Sequence, residues 1–360
     1  MIKCILLLLL SLTLANSVVN AQRDPLKWPF AVTSIWNMPI HNNAQYTPAN
    51  IILPTSAGIL ADEDIIILEK SAPLTDLYIS NADWNKTLDR CIATGGILLR
   101  VPIPSDFVYK KSNWLGSTPN AGLAVLMPDG KTIKNTQPFT RCNAGSVGTS
   151  HYNKPDNDLY GDGIEGAHGG SGMSVLGGCI RLGELVPNGV IKHAIKIELW
   201  GQENYYMSSS EATPGYRWPA NARDANAKYY GKNPWLNNGS LLALAPSINI
   251  ESLGLVTEAG KILAKCFQDY GAYIVDDCAW SAVAICTERS PQGSVVDEFK
   301  RNFGFDFESY STYNTWAADF HKILLNLQVI TNNTSSNIGG GPTTDLINRR
   351  ASAATDFGAP

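Results

Sequence analysis

Past its first fourteen residues the chain has no long hydrophobic run, no lysine- or arginine-rich stretch and few charges of either sign. Each absence closes a class of function. A membrane-spanning helix needs roughly 18 or more uninterrupted apolar residues, and none occurs downstream. Charged residues make up 17% of the chain and the net charge is −4, which argues against nucleic acid and against an anionic membrane surface. No two cysteines have CxxC spacing, so neither a zinc ribbon nor a thioredoxin-type site is expected. There is no P-loop, no dinucleotide fingerprint, no G-x-S-x-G elbow and no H-E-x-x-H. Ser171, in Gly169-Gly170-Ser171-Gly172, has its glycines wrongly spaced for a nucleophile elbow. No internal repeat is present.

What is there begins with a leader. Residues 2–14 are a lysine followed by a short apolar run, and Val19-Asn20-Ala21 is a small-residue cleavage pattern. Residues 1–21 are therefore expected to be a secretory signal peptide, with Gln22 near the start of a secreted mature chain that does not insert into the membrane. The following 22–330 reads as a single β-rich catalytic or binding domain, and 331–360, rich in Asn, Ser, Gly and Thr, as a flexible tail. Six cysteines follow the leader: Cys91, Cys142, Cys179, Cys266, Cys278 and Cys286. An even count in an exported chain permits three disulfides, and Cys278 and Cys286 are close enough in sequence to join a short hairpin. Sequons at Asn85, Asn238 and Asn333 bear only on a eukaryotic source. Nine Trp and fourteen Tyr suit a sugar-binding surface, although most single rings serve the core.

Short strands are expected at 64–69, 74–80, 96–102, 121–127, 131–140, 241–245, 272–276 and 281–287, several bounded by turn residues such as Pro128-Asp129-Gly130. In 191–200, Ile191, His193, Ile195, Ile197 and Leu199 share one face; Lys192, Lys196 and Glu198 lie on the other. Residues 22–50 read as a turn-rich lead-in that packs Trp28 and Trp36 onto the body. Residues 203–240 read as a long surface excursion. Helices are expected at 257–270, with Thr257 as cap, and near 295–303 and 315–327. The fold class is α+β and β-rich: an antiparallel sandwich or curved sheet with helices concentrated in the C-terminal third.

The chemistry is expected in Asp156–Arg181, a glycine-rich stretch that holds carboxylates, a histidine, a cysteine and an arginine. Glycine serves where backbone must bend tightly or approach something closely. His168, flanked by Gly166-Ala167 and Gly169-Gly170, is the leading candidate for a general base; the competing reading is a histidine that pins a loop. Asp156, Asp158 and Asp162 would suit calcium, the one cofactor suggested, although their spacing is not that of an EF-hand. Asp162, Glu165 and Glu184 are candidates for the paired carboxyls of glycosidic cleavage. Arg181 reads either as a fork for a substrate carboxylate or as half of an ion pair with Glu184. His193 reads first as a satisfied core histidine and second as a residue of the same cleft. Asp276, Asp277 and Glu288 end or follow strands and rank lower, as turn or cap residues.

Two resemblances follow. The segments Phe30–Ile40, Gly172–Leu185, Ile191–Ile195 and Tyr270–Asp277 resemble a recurring pattern in a family of secreted, largely uncharacterised bacterial proteins. That resemblance implies an exported protein found in polysaccharide-degrading settings. Gly178-Cys179-Ile180-Arg181-Leu182 is similar to the S-H-G-C-[IV]-R-[LM] signature of L,D-transpeptidases. It would make Cys179 a nucleophile with His168 upstream, although Gly177 stands where that family has histidine.

The expected function is a secreted enzyme that cleaves an extracellular polysaccharide, with Tyr160, Trp200, Tyr216 and Trp218 lining its cleft. Hydrolysis by paired carboxylates leads over β-elimination by His168 with Arg181. The other readings are a Cys179-dependent enzyme of cell-wall polymer and a non-catalytic glycan-binding protein. The sequence does not indicate an oligomeric state.

Overall fold

The computed structural model describes residues 23–113, 119–208, 215–310 and 314–357. The expected signal peptide lies outside the described residues. Among the described residues fourteen strands are formed: β1 (Tyr46–Pro48), β2 (Leu60–Ile67), β3 (Leu74–Ile79), β4 (Ile97–Pro102), β5 (Leu123–Leu126), β6 (Thr132–Gln137), β7 (Gly148–Ser150), β8 (Tyr152–Asp158), β9 (Ile195–Trp200), β10 (Leu241–Leu244), β11 (Ala272–Cys278), β12 (Ala284–Ser290), β13 (Gly293–Ser294) and β14 (Leu327–Ile330). The helices are α1 (Gly201–Asn204), α2 (Glu258–Asp269), α3 (Val295–Phe303) and α4 (Thr315–Asn326). The protein is thus β-rich α+β with its longer helices late in the chain.

Strand order in the main sheet is β1-β14-β10-β11-β9-β12-β2-β5-β6-β8, with β13 paired to β12. A second sheet runs β4-β3-β7. The main sheet is mixed: β9 pairs with β11, β12 with β2, and β2 with β5 in parallel, and the other ladders are antiparallel. Its middle strands are buried on both faces.

One face packs on helices. Ile195, Ile197 and Leu199 of β9, Ile274 of β11 and Ile285 of β12 meet Leu263 and Phe267 of α2, Phe299 of α3, and Trp316 and Phe320 of α4. These helices form where expected, α2 with the expected cap. Thr257 caps α2 by accepting from Gly260 N at 3.0 Å, and Ser294 and Asn314 cap α3 and α4 in the same way. The small sheet covers the same face farther along, where Ile65, Ile67, Leu123 and Val125 meet Leu77, Val101 and Phe139.

The opposite face is covered by irregular chain. Trp36 of the lead-in and Met173, Val175, Leu176 and Cys179 of the glycine-rich stretch pack on Ile66, Ala124, Tyr273 and Cys286 of the sheet. Gly178 has φ +71°, and a side-chain carbon there would collide with the Trp36 ring. The indole in turn donates to Gly163 O at 2.7 Å. Much of the glycine content therefore serves close packing.

Three expectations are corrected here. Residues 331–357 are not a loose tail. Arg349, itself buried, donates to Pro39 O (2.7 Å), Ile338 O (3.0 Å) and Pro342 O (2.8 Å), which ties this segment to the lead-in. Among the described residues only Cys91 and Cys142 form a disulfide; Cys179, Cys266, Cys278 and Cys286 are buried free thiols. Cys278 and Cys286 do not face each other across a hairpin, because β9 is inserted between β11 and β12. Of the three sequons named, Asn238 and Asn333 are buried and Asn85 is exposed. Among the described residues no helix is long and apolar enough to cross a membrane.

Candidate functional site

Side chains on alternate positions of a strand point to one face, so sheet register decides which groups meet. Cys286 of β12 is in register with Asp62 of β2, and Glu288 with Asp64. Ala284 of β12 faces Glu198 of β9. Tyr273 of β11 faces Lys196 of β9, one step along. The face under the glycine-rich layer therefore carries Asp62, Asp64, Lys196, Glu198 and Cys286 side by side. A bulge in β11 between Ile274 and Asp276 shifts the register, so that Asp276 rather than Val275 lies opposite Glu198. Bulges re-aim side chains in this way beside functional sites.

His168 descends from the layer into this group. Its Nε2 lies 3.4 Å from Cys286 Sγ, 3.4 Å from Asp62 Oδ2 and 3.9 Å from Glu198 Oε1. Its Nδ1 lies 3.3 Å from Gly169 O and 3.8 Å from Asp276 Oδ2. Cys286 Sγ is 4.0 Å from Asp62 Oδ2 and 3.9 Å from Glu198 Oε1. All four of Asp62, His168, Glu198 and Cys286 are buried. Lys196 sits in the same face but is spoken for: its Nζ donates to Asp64 Oδ2 at 2.6 Å and to Val175 O at 2.7 Å.

A second, more open group adjoins it. Asp224, Asp276 and Asp277 bring carboxylate oxygens within 4.8 Å of one another, with Asp224 and Asp277 half-buried. Asn120 links the two groups, donating to Asp62 Oδ2 at 3.3 Å and to Asp276 Oδ2 at 3.2 Å. Its own carbonyl accepts from the Trp84 indole at 3.2 Å. Half-buried Trp84, His151 and Tyr152 form a ring cluster at this edge, with centroids 5.9–6.3 Å apart. Burial, then the charges of Asp276 and Asp224, push the Tyr152 phenol above its ordinary range.

The electrostatics separate the carboxyls. Burial would raise Asp62, but the hydrogen bond and charge of His168 outweigh it and hold it at about 2. Burial, then the negative charges of Asp62 and Asp276, drive Glu198 well above the carboxylate range. Burial and Asp224 lift Asp276 well above its usual value and Asp277 to about 7. Carboxyls whose environments drive them apart are the raw material of acid–base chemistry.

The sequence-expected residues divide. His168 is in the centre, but its thiol neighbour is Cys286. Cys179 is buried, its thiol raised well above its ordinary value by burial and then by the Asp64 charge, and its Sγ contacts Ile180 O. Arg181, Glu184 and His193 come together in an ionic group of their own. Arg181 Nε donates to Glu288 Oε2 at 2.7 Å, so its side chain pairs with Glu288 and not with Glu184. Glu184 instead accepts from Arg181 N at 2.7 Å and meets His193 Nε2 at 2.9 Å. Asp156, Asp158 and Asp162, expected to share a cation, do not converge. They are exposed: Asp156 pairs with Lys134 on the neighbouring strand, while Asp158 and Asp162 accept from the local amides of Tyr160 and Ile164. Glu165 is exposed as well. Tyr160 stacks edge-on against Phe357, Tyr216 and Trp218 pack on the core under the layer, and Trp200 ends β9.

Asp62, Glu198, Cys286, Asp224, Trp84 and Tyr152 were not singled out by sequence. For Asp62 and Glu198 the signal is a charged residue inside an otherwise apolar strand; the other four carry none in sequence. Compared with known proteins, the chain matches no protein-family model, no curated protein and no solved structure. The chemistry of the site therefore rests on its own geometry.

Proposed function

We propose that the protein is a secreted enzyme that cleaves glycosidic bonds of an extracellular polysaccharide, with Asp224, Asp276 and Asp277 as its acid–base groups. One observation carries this reading. A reachable carboxyl cluster ends β11 beside a half-buried platform of Trp84, His151 and Tyr152. Glycosidic hydrolysis requires a carboxylic acid to protonate the leaving oxygen and a neighbouring carboxylate to act as base or nucleophile. Asp277, held at about 7, keeps its proton at mildly acidic pH with Asp224 alongside. Flat rings beside such a pair suit the C–H faces of a sugar. His168 acts from behind as a positioning group for Asp276.

The test is release of reducing ends from a panel of polysaccharides by the wild type, Asp277→Asn and Asp224→Asn. Cleavage by the wild type that falls at least a hundredfold in both folded variants supports the assignment. Activity that survives both substitutions removes these residues from the chemistry. A product absorbing in the near ultraviolet identifies elimination instead of hydrolysis, and saturable binding without turnover identifies a glycan-binding protein.

A further inference from the structure

We infer that Asp62, His168, Glu198 and Cys286 form a tetrahedral site for a zinc-class divalent metal ion that fastens the glycine-rich layer to the sheet. This goes beyond the proposed activity and shares with it only His168, which is there a positioning group behind Asp276 and not an acid–base group. The donors come from four elements: Asp62 from β2, Glu198 from β9, Cys286 from β12, and His168 from the layer above. Zinc at its usual ligand distances of about 2.0–2.3 Å sets neighbouring donor atoms of a tetrahedron about 3.3–3.8 Å apart. Five of the six edges here are 3.4, 3.4, 3.9, 3.9 and 4.0 Å. The sixth, between the carboxylates, lies within the 4.8 Å that encloses the whole group. An ion entering this space would draw each side chain in by a few tenths of an ångström.

The surroundings match as well. A metal-bound histidine normally offers its other ring nitrogen to a carbonyl or carboxylate, which fixes the ring and the tautomer. His168 Nδ1 has Gly169 O at 3.3 Å, with Asp276 Oδ2 farther off at 3.8 Å. Asp62 is held by Asn120 in the same supporting role. The charge balance asks for a cation. Asp62 and Glu198 are more than nine-tenths buried, and among the described residues neither has an ion pair with lysine or arginine. The one ammonium on this face, Lys196, is engaged by Asp64. His168 is the cationic partner these two carboxyls have here; as a metal ligand the imidazole is neutral, and the divalent ion supplies the counter-charge in its place. The thiolate and imidazole select zinc, or cobalt in its place, over calcium and magnesium, which prefer oxygen alone. Four protein ligands leave no open position, which is the pattern of a structural centre.

The experiment uses the full mature chain, freed of metal by a chelator and titrated with zinc, calcium or magnesium, each alone. We expect one zinc bound per chain, a rise in Tm with zinc but not with calcium or magnesium, and an intense tetrahedral spectrum with a thiolate band when cobalt(II) is substituted. Cys286→Ser should lose the thiolate band, and His168→Gln should weaken zinc at least tenfold. Asp277→Asn should bind zinc like the wild type while losing cleavage, so failure of the catalytic reading and failure of this one are told apart. Wild-type protein that takes up no zinc and gives no tetrahedral cobalt spectrum overturns the inference. So does zinc affinity unchanged in folded Cys286→Ser and His168→Gln. The wild-type arm decides the matter even if the variants fail to fold.

Discussion

Asp277 ties stability to pH through a proton that the folded state holds more tightly than the unfolded chain does. Burial and Asp224 lift its carboxyl from the ordinary range to about 7. Between those limits the folded state binds more protons, so this contribution is present at low pH and is lost as pH rises through about 7. Urea midpoints of the wild type should fall from pH 5 to pH 8, and those of Asp277→Asn should fall less. Lys196 is raised too, but by attraction and not by burial. Burial alone would lower its ammonium; Asp64 outweighs burial and holds it above its ordinary value. Lys196→Met leaves Asp64 buried and alone, which costs about 3–5 kcal/mol. Urea denaturation should register that loss, and Lys196→Met with Asp64→Leu should recover much of it. At this scale sequence legibility was uneven. His168 was found because glycines advertise it. Asp62, Asp64, Lys196 and Glu198 were passed over because a charged residue on alternate strand positions ordinarily faces water. Here the second face of the sheet is covered, so the same alternation points them into a site.

At the scale of elements, a cap and an apolar stripe placed α2 within a residue, and α3 and α4 lie within a residue of their expected positions. Strand edges were less visible: β2 begins at Leu60, four residues before the expected start, because Asp62, Glu63 and Asp64 disguise it. The bulge in β11 was invisible, since one extra residue leaves no compositional mark, yet it decides that Asp276 joins the carboxyl group. Asp276 and Asp277 consequently read as turn residues in sequence. Gly170 belongs to the same device. It has φ +67°, and a side-chain carbon there would strike the Asp276 carboxyl. Gly170→Ala should cost about 1–3 kcal/mol from backbone strain. It should also lower kcat more than it lowers Tm, read by calorimetry beside the cleavage assay.

For the whole molecule, the sheet has one face sealed by helices and the other by chain with little regular structure. Chain ends hold that second cover in place. The lead-in lies across the layer through Trp36, whose ring meets Tyr273 at 5.6 Å, and residues 331–357 clamp the lead-in through Arg349. Arg349→Ala removes bonds from a buried charged group to several carbonyls and should destabilise by about 3 kcal/mol. Chemical denaturation measures it, and limited proteolysis should then cut first within 331–357. The fold class was legible because strand and helix patterns are local. Sheet order was not: β9 lies between β11 and β12, a long-range pairing that no local pattern encodes, and the site sits on that junction.

The unequal use of cysteine has a practical meaning for making this protein. Among the described residues Cys91–Cys142 is the one disulfide, and the other four cysteines are free thiols in the interior. Every scheme that pairs all six is therefore a misfolded product. Oxidation must wait until the core has closed, after which burial shields the remaining sulfurs. Refolding under strong oxidant would trap scrambled chains, whereas a mildly reducing buffer would let the single correct bond form last.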